Sequence, residues 1–168
     1  NPNFNYTDKA LSFNVQSKVT DRLTKNGYKS SKTGFNFGTS FEQYENFYIS
    51  PNISTYIEKL ETNSSAIASL KKQEGNYFDT NLGYSITYDK RDRRWRTSEG
   101  FLSKFIQTLP ILADDQSILN GYEFAKYNNW GEDLITKFSI YTRAVNSLDD
   151  SKDVRISERL SLPRDKLR

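Results

Sequence analysis

From Phe78 to Asp89 the chain alternates without a break: Phe78, Thr80, Leu82, Tyr84, Ile86 and Tyr88 share one parity, and Asp79, Asn81, Gly83, Ser85, Thr87 and Asp89 the other. Successive side chains of a strand point to opposite sides of its sheet, so this segment reads as a strand between an apolar and an aqueous compartment. A soluble sandwich meets that description, and so does an outer-membrane barrel. Repetition, strand length and loop pattern decide between them.

The same split recurs along the chain. Leu11, Phe13, Val15 and Val19 oppose Ser12, Asn14, Gln16 and Lys18; Phe35, Phe37, Thr39 and Phe41 oppose Gly34, Asn36, Gly38 and Ser40. Phe47, Ile49, Ile53 and Ile57 oppose Ser50, Asn52, Ser54 and Glu58, and Leu134, Phe138, Ile140 and Ala144 oppose Lys137, Ser139 and Arg143. Two segments are less regular: in 101–111 Phe105, Leu109 and Ile111 share a face while Leu102 and Ile106 take the other, and in 118–127 Glu123 sits between Tyr122 and Phe124. Pro51, lacking an N–H, should open its ladder or mark a bulge. The pattern predicts about seven strands of about 10 residues, the length a tilted membrane-spanning strand needs and longer than the mode of about 5–6 in globular sheets.

The connections between them tend to alternate. Those at 21–32, 61–75 and after 146 are long and that at 112–117 modest, while 43–45 and 128–132 are short and 90–100 intermediate. Outer-membrane barrels place long loops outside and short turns on the periplasmic side. Within 61–75, the run from Ser64 to Gln73 carries helix formers behind serine and predicts a short surface helix with a serine cap.

Composition supports the barrel. Only 35% of the 168 residues are hydrophobic while eleven Tyr and eleven Phe supply most of the aromatics, and the mean hydropathy is -0.79. No apolar run reaches the roughly 20 residues of a membrane helix, whereas barrels read as hydrophilic because only alternate residues meet lipid. The absence of Cys and His removes thiolate metal sites, thiol nucleophiles and the commonest general base. A net charge of +3 with scattered Lys and Arg gives no footprint for nucleic acid. The absence of Met and the opening at Asn1 suggest an excerpt from a longer protein.

Candidate chemistry is sparse. Of the paired acids Asp89/Asp92, Asp114/Asp115 and Asp149/Asp150, the latter two lack calcium-loop spacing and read as turn and solvation residues. No catalytic residue, metal ligand or cofactor site is expected, and the chain is not read as an enzyme. The most specific segment runs from Tyr88 to Gly100, dense in basic residues around Trp95. It reads as a strand-end turn in which Asp and Arg pair locally, Trp95 anchors at the membrane interface and Gly100 takes a turn conformation; a headgroup- or phosphate-binding patch is the alternative.

That segment carries a family resemblance. A strand ending Tyr88-Asp89-x-Arg91-Asp92, followed by a short turn, Gly100 and the next strand, is similar to the signature of the bacterial surface antigen barrel of BamA-like assembly factors. Asn1-Pro2-Asn3-Phe4, the central strand behind Gln73-Glu74-Gly75, and the stretch from Ile156-Ser157-Glu158-Arg159-Leu160 to Leu167-Arg168 also resemble that family, over the whole chain. The resemblance implies an all-β, antiparallel, up-and-down transmembrane barrel of about sixteen strands, of which residues 1–168 form an incomplete part. It further implies periplasmic POTRA domains upstream, remaining strands downstream and a location in the bacterial outer membrane. The expected partners are outer-membrane lipids, unfolded outer-membrane protein substrates and accessory assembly lipoproteins. In the family the Arg of a loop motif docks in the lumen, and Arg168, behind Leu167, matches it; Leu162-Pro163-Arg164-Asp165 stands where Gly-Gly often precedes that motif. A TamA-like or two-partner secretion barrel would share the fold, and a secreted carbohydrate-binding β-sandwich is the remaining alternative.

Overall fold

The alternating segments pair in chain order. In the computed structural model, which describes residues 9–22, 27–131, 134–149 and 154–159, seven strands form one antiparallel sheet: β1 (Lys9–Arg22), β2 (Tyr28–Tyr44), β3 (Phe47–Thr62), β4 (Gly75–Asp89), β5 (Gly100–Ala113), β6 (Ser117–Asn129) and β7 (Ile135–Ser147). Every neighbour in the sheet is a neighbour in sequence, as an up-and-down meander requires. The only α-helix among the described residues is α1 (Ala68–Lys71), between β3 and β4.

Register carries the period-two pattern intact from strand to strand. Phe13, Phe37, Ile53, Leu82 and Leu109 form one cross-sheet row, and Ile49, Ile86, Phe105 and Tyr122 another. On the opposite face Asn14, Asn36, Ser54 and Asn81 align, and Ser85 leads through Ile106 and Gly121 to Arg143. Lys137 pairs with Tyr127 on that polar face, while Phe138 lies on the apolar one opposite Lys126. No second sheet covers the apolar face among the described residues: Phe13 is 64% exposed, Val15 73% and Phe138 59%. Continuous apolar rows on one face and polar rows on the other are the pattern that a sheet between an apolar and an aqueous compartment requires.

Several details differ from the pattern read in sequence. The strands run 13 to 17 residues rather than about 10, because their ladders continue beyond the apolar rows at both ends. β2 starts at Tyr28, five positions earlier than the polar run 21–32 suggested, since Arg22 and Tyr28 still pair. Ile111 leaves the face of Phe105 and Leu109: the register slips where Asn81 pairs with Pro110 and Thr80 with Leu112, so Ile111 becomes the extra residue of a bulge beside a proline that cannot donate. Pro51 opens its ladder without changing register, because pairing lapses between Gly38–Asn52 and Phe41–Ile49. The gap is bridged by the Ser40 and Ser50 hydroxyls, 2.8 Å apart. The helix is shorter than its sequence suggested and is not serine-capped: Ile67 is its N-cap and makes no side-chain bond. The Ser65 hydroxyl instead donates to Asn63 Oδ1 at 2.7 Å, in the turn that precedes it.

A small apolar cluster sits at the long-loop end of the sheet. Tyr28, Leu60, Ala66 and Leu70 are buried there, with Tyr77 and Ile156 packed against them. At mid-sheet on the polar face, Gly34 lies opposite Tyr56; a Cβ on Gly34 would run into the Thr55 carbonyl oxygen and reach the Tyr56 Cα at 2.5 Å. Gly34→Ala should therefore lower unfolding stability by about 1–3 kcal/mol, read as a shift of the urea midpoint of the folded barrel, whereas Asn36→Ala on the same face should leave it within about 0.5 kcal/mol.

Candidate functional site

Polar parity alone puts Ser30, Lys32, Tyr56, Glu58, Asp79 and Asn81 on the inner face of β2, β3 and β4 near the long-loop end. The segment 154–159, which follows β7, lies on this wall. Its Arg155 is 1% exposed, as are Glu58 and Asp79 to within one per cent. Arg155 Nη1 donates to Glu58 Oε2 at 3.1 Å and to Asp79 Oδ2 at 2.9 Å, and Nη2 donates to Asp79 Oδ1 at 3.1 Å. The fork-shaped guanidinium thus grips Asp79 through both oxygens, a geometry an ammonium cannot reproduce. Its Nε faces Asp115 Oδ2 at 3.4 Å as an ion pair without hydrogen-bond geometry. Its Nη2 lies 3.8 Å from Glu158 Oε1, and its carbon stands 4.0 Å above the Tyr77 ring.

The acids are themselves held. Glu58 accepts from the Ser30 hydroxyl at 2.5 Å and from Ser157 at 2.9 Å. Glu158 accepts from Ser117 at 2.7 Å and from the Tyr56 hydroxyl at 3.4 Å, and that hydroxyl accepts from Asn81 at 3.1 Å. The Ile156 N–H donates to the Gln73 side chain at 2.9 Å, which ties the segment also to the β3–β4 connection. Burial acts to lower the pKa of Arg155, and the hydrogen bonds and charge of Asp79, with Glu158 and Glu58 behind, outweigh it, so the guanidinium is held charged above its ordinary value. A buried charge cluster is costly unless each member is paired, and here one arginine from a loop satisfies acids from two strands and a turn. Its effect is to fasten the segment after β7 to the inner wall.

A second constellation lies at the opposite end of β4. Asp89 receives Arg91 in a two-point bond, Nε to Oδ1 and Nη2 to Oδ2, each 2.8 Å. Asp92 accepts from the Ser98 and Glu99 N–H groups at 3.0 and 3.2 Å and from the Ser98 hydroxyl at 2.6 Å. Gly100 has φ +98°, and a Cβ there would strike the Lys90 carbonyl oxygen. Tyr88 packs edge-on against Phe101 at 5.6 Å, across the strand from the turn. The residues Tyr88, Asp89, Arg91, Asp92 and Gly100, singled out together in sequence, therefore form one closed turn joining β4 to β5. Arg94 leans over the Tyr48 ring at 5.4 Å, and with Glu42, Lys104 and Glu123 this turn borders an inner-face cavity of about 860 Å³. Trp95 is 88% exposed at the tip, and Trp130, exposed at the same end of the sheet, donates through Nε1 to Thr136 Oγ1 at 2.9 Å.

Leu167 and Arg168 lie outside the described residues, as do Asn1 to Phe4 and Asp150. Neither Asp114 nor Asp115 is the simple turn and solvation residue expected of the pair: Asp114 accepts the N–H of Phe78 on β4 at 2.8 Å, 36 residues away, and the loop that brings Arg155 to the wall makes Asp115 an ion-pair partner. Arg155, Glu58 and Asp79 were missed as a group in sequence. The available signal was a pair of carboxylates on the water-facing parity of two adjacent strands, at the same end, with no cation two positions before or after either on the same face of its strand.

Two expectations follow. Asp79→Asn, which removes the two-point acceptor, should cost about 3 kcal/mol in urea unfolding, against less than about 1 kcal/mol for the partly exposed Asp115→Asn. The hydrogen bond from Ser98, with the turn's N–H groups, holds the Asp92 carboxyl at about 2 against an ordinary 3.8. Because the folded value is the lower one, its contribution is complete above the ordinary value and is lost as pH falls through about 2. Carboxyl carbon NMR should show Asp92 still ionised at pH 3, and Ser98→Ala should move its titration upward.

Compared with known families, residues 1–162 match the Omp85 superfamily domain. A search of curated proteins finds no match.

Proposed function

Because the chain belongs to the Omp85 superfamily, whose members are bacterial outer-membrane β-barrels that insert or secrete proteins, we propose that it is part of the barrel wall of a BamA-like factor that folds and inserts other barrels. On this reading residues 1–168 are one incomplete barrel domain, with POTRA domains upstream and further strands downstream. The apolar rows meet lipid, the polar rows line the lumen, and long loops face outward.

The observation that carries the reading is the return of 154–159 onto the inner wall, with Arg155 bound to Glu58 and Asp79. A loop fastened inside the barrel supports a gated assembly or translocation barrel over a passive pore, whose lumen would stay open. Arg168, with Leu167 before it, is the proposed second lumen contact of the same loop, and Trp95 the proposed interface anchor. Substrates are unfolded outer-membrane proteins, with accessory lipoproteins as assembly partners. No step of this activity makes or breaks a covalent bond: the barrel lowers the barrier to insertion by perturbing the bilayer and templating strand pairing.

Proteoliposomes test the function. The full-length protein should accelerate folding of a urea-unfolded outer-membrane protein over empty vesicles, read by heat-modifiable mobility; equal rates with and without it would overturn the reading. Counting the POTRA domains of the full-length protein separates BamA-like from TamA-like and two-partner secretion barrels. The facing assignment has its own test. Leu82→Arg should cost about 2–4 kcal/mol if it lies near the bilayer midplane, while Ser85→Arg, one face over, should be tolerated; similar costs in both variants would contradict it.

A further inference from the structure

Lys32 stands directly opposite Glu58 in the β2–β3 register, on the inner face. Yet its ammonium rests on the face of Tyr56, 3.2 Å from the ring centroid. Around it are the charges of Glu58, Glu158, Asp79 and Arg155. Tyr56 in turn is tied to the docked loop, because its hydroxyl donates to Glu158. One ring therefore links the loop to the position of a second cation.

The charges of the site are unequal in a telling way. When the segment 154–159 leaves the wall, Arg155 and Glu158 leave with it, whereas Glu58 and Asp79 stay on β3 and β4. Two adjacent carboxylates would then be left without their cation, which in a half-buried site is a strongly unfavourable state. The same departure removes Glu158 from the Tyr56 hydroxyl and frees the ring that holds Lys32. The flexible lysine stem then needs only a rotamer change to bring its ammonium onto Glu58, its cross-strand neighbour.

We propose that Lys32 is a stand-in cation for Arg155: parked on Tyr56 while the loop is docked, and paired with Glu58 when it is released. Glu58 then has a cation in both states while Asp79 turns to water when the loop leaves, and the loop is a latch that can open rather than a permanent staple. This holds for any member of the superfamily that the chain represents and does not depend on its substrate.

These 168 residues hold no cysteine. In the full-length protein, with any cysteine elsewhere replaced by serine and Val154→Cys as the sole cysteine, maleimide labelling under native conditions reports how often the segment leaves the wall. Arg155→Gln should speed labelling. Lys32→Gln should slow it about tenfold, because the open state loses the charged hydrogen bond that satisfies it, and Lys32→Arg should return it toward the parent rate. Labelling of Lys32→Gln at or above the parent rate would overturn the proposal. A second readout does not require Lys32 to be replaced. The Lys32 ε-methylene protons should be shifted upfield by the Tyr56 ring in the parent and lose that shift in Arg155→Gln; a shift that persists in Arg155→Gln would equally overturn it.

Discussion

The continuous inter-strand ladder is the interaction on which the rest of this structure depends. A single-layer sheet has no second layer against which to bury a core, so backbone hydrogen bonds and cross-strand rows carry its order. In hydrocarbon this becomes compulsory, because no water is present to satisfy a backbone group that the ladder leaves open. The local answers to interruptions fit that constraint: a bulge sits beside Pro110, and paired serine hydroxyls bridge the gap next to Pro51. Register also has functional weight, since a slip by one residue would send Glu58 and Asp79 to the apolar side.

The two ends of the sheet are finished by different physics. At the short-turn end, contacts are local in sequence: Asp89 with Arg91 and Asp92 with Ser98 lie two and six residues apart. Such a turn can close as soon as its own strands pair. At the long-loop end the decisive contacts join Arg155 to Asp79 and Glu58 across 76 and 97 residues. They form only when the segment after β7 crosses back over the wall, and they are confined to side chains that water also solvates well. A local, rigid turn suits a fixed strand junction, whereas a long-range ionic contact between a loop and a wall suits an element that docks and undocks.

Membership of the Omp85 superfamily gives these features a setting. Its barrels act on other proteins without covalent chemistry, so the functional residues are those that position and release structure. An arginine shared between Glu58 and Asp79, with a lysine parked nearby on Tyr56, belongs to that category. The apolar row of Phe13, Phe37, Ile53 and Leu82 in register is, on the proposed reading, the surface that meets lipid.

The period-two alternation of Phe78 to Asp89 and its repeats determined the strands, their faces and the meander, because side-chain direction in a strand follows from backbone geometry at neighbouring residues. The turn from Tyr88 to Gly100 was legible for the same reason: its partners are near in sequence, and Gly100 adopts a positive φ that other residues resist. Only the tertiary structure decided which of many charged residues are buried together. Nothing local distinguishes Arg155 from Arg159, or Asp115 from Asp114; their roles depend on where a distant loop lands. Ile111 shows the same limit on a smaller scale, since its face was set by a bulge that arises only when β4 and β5 are brought into register.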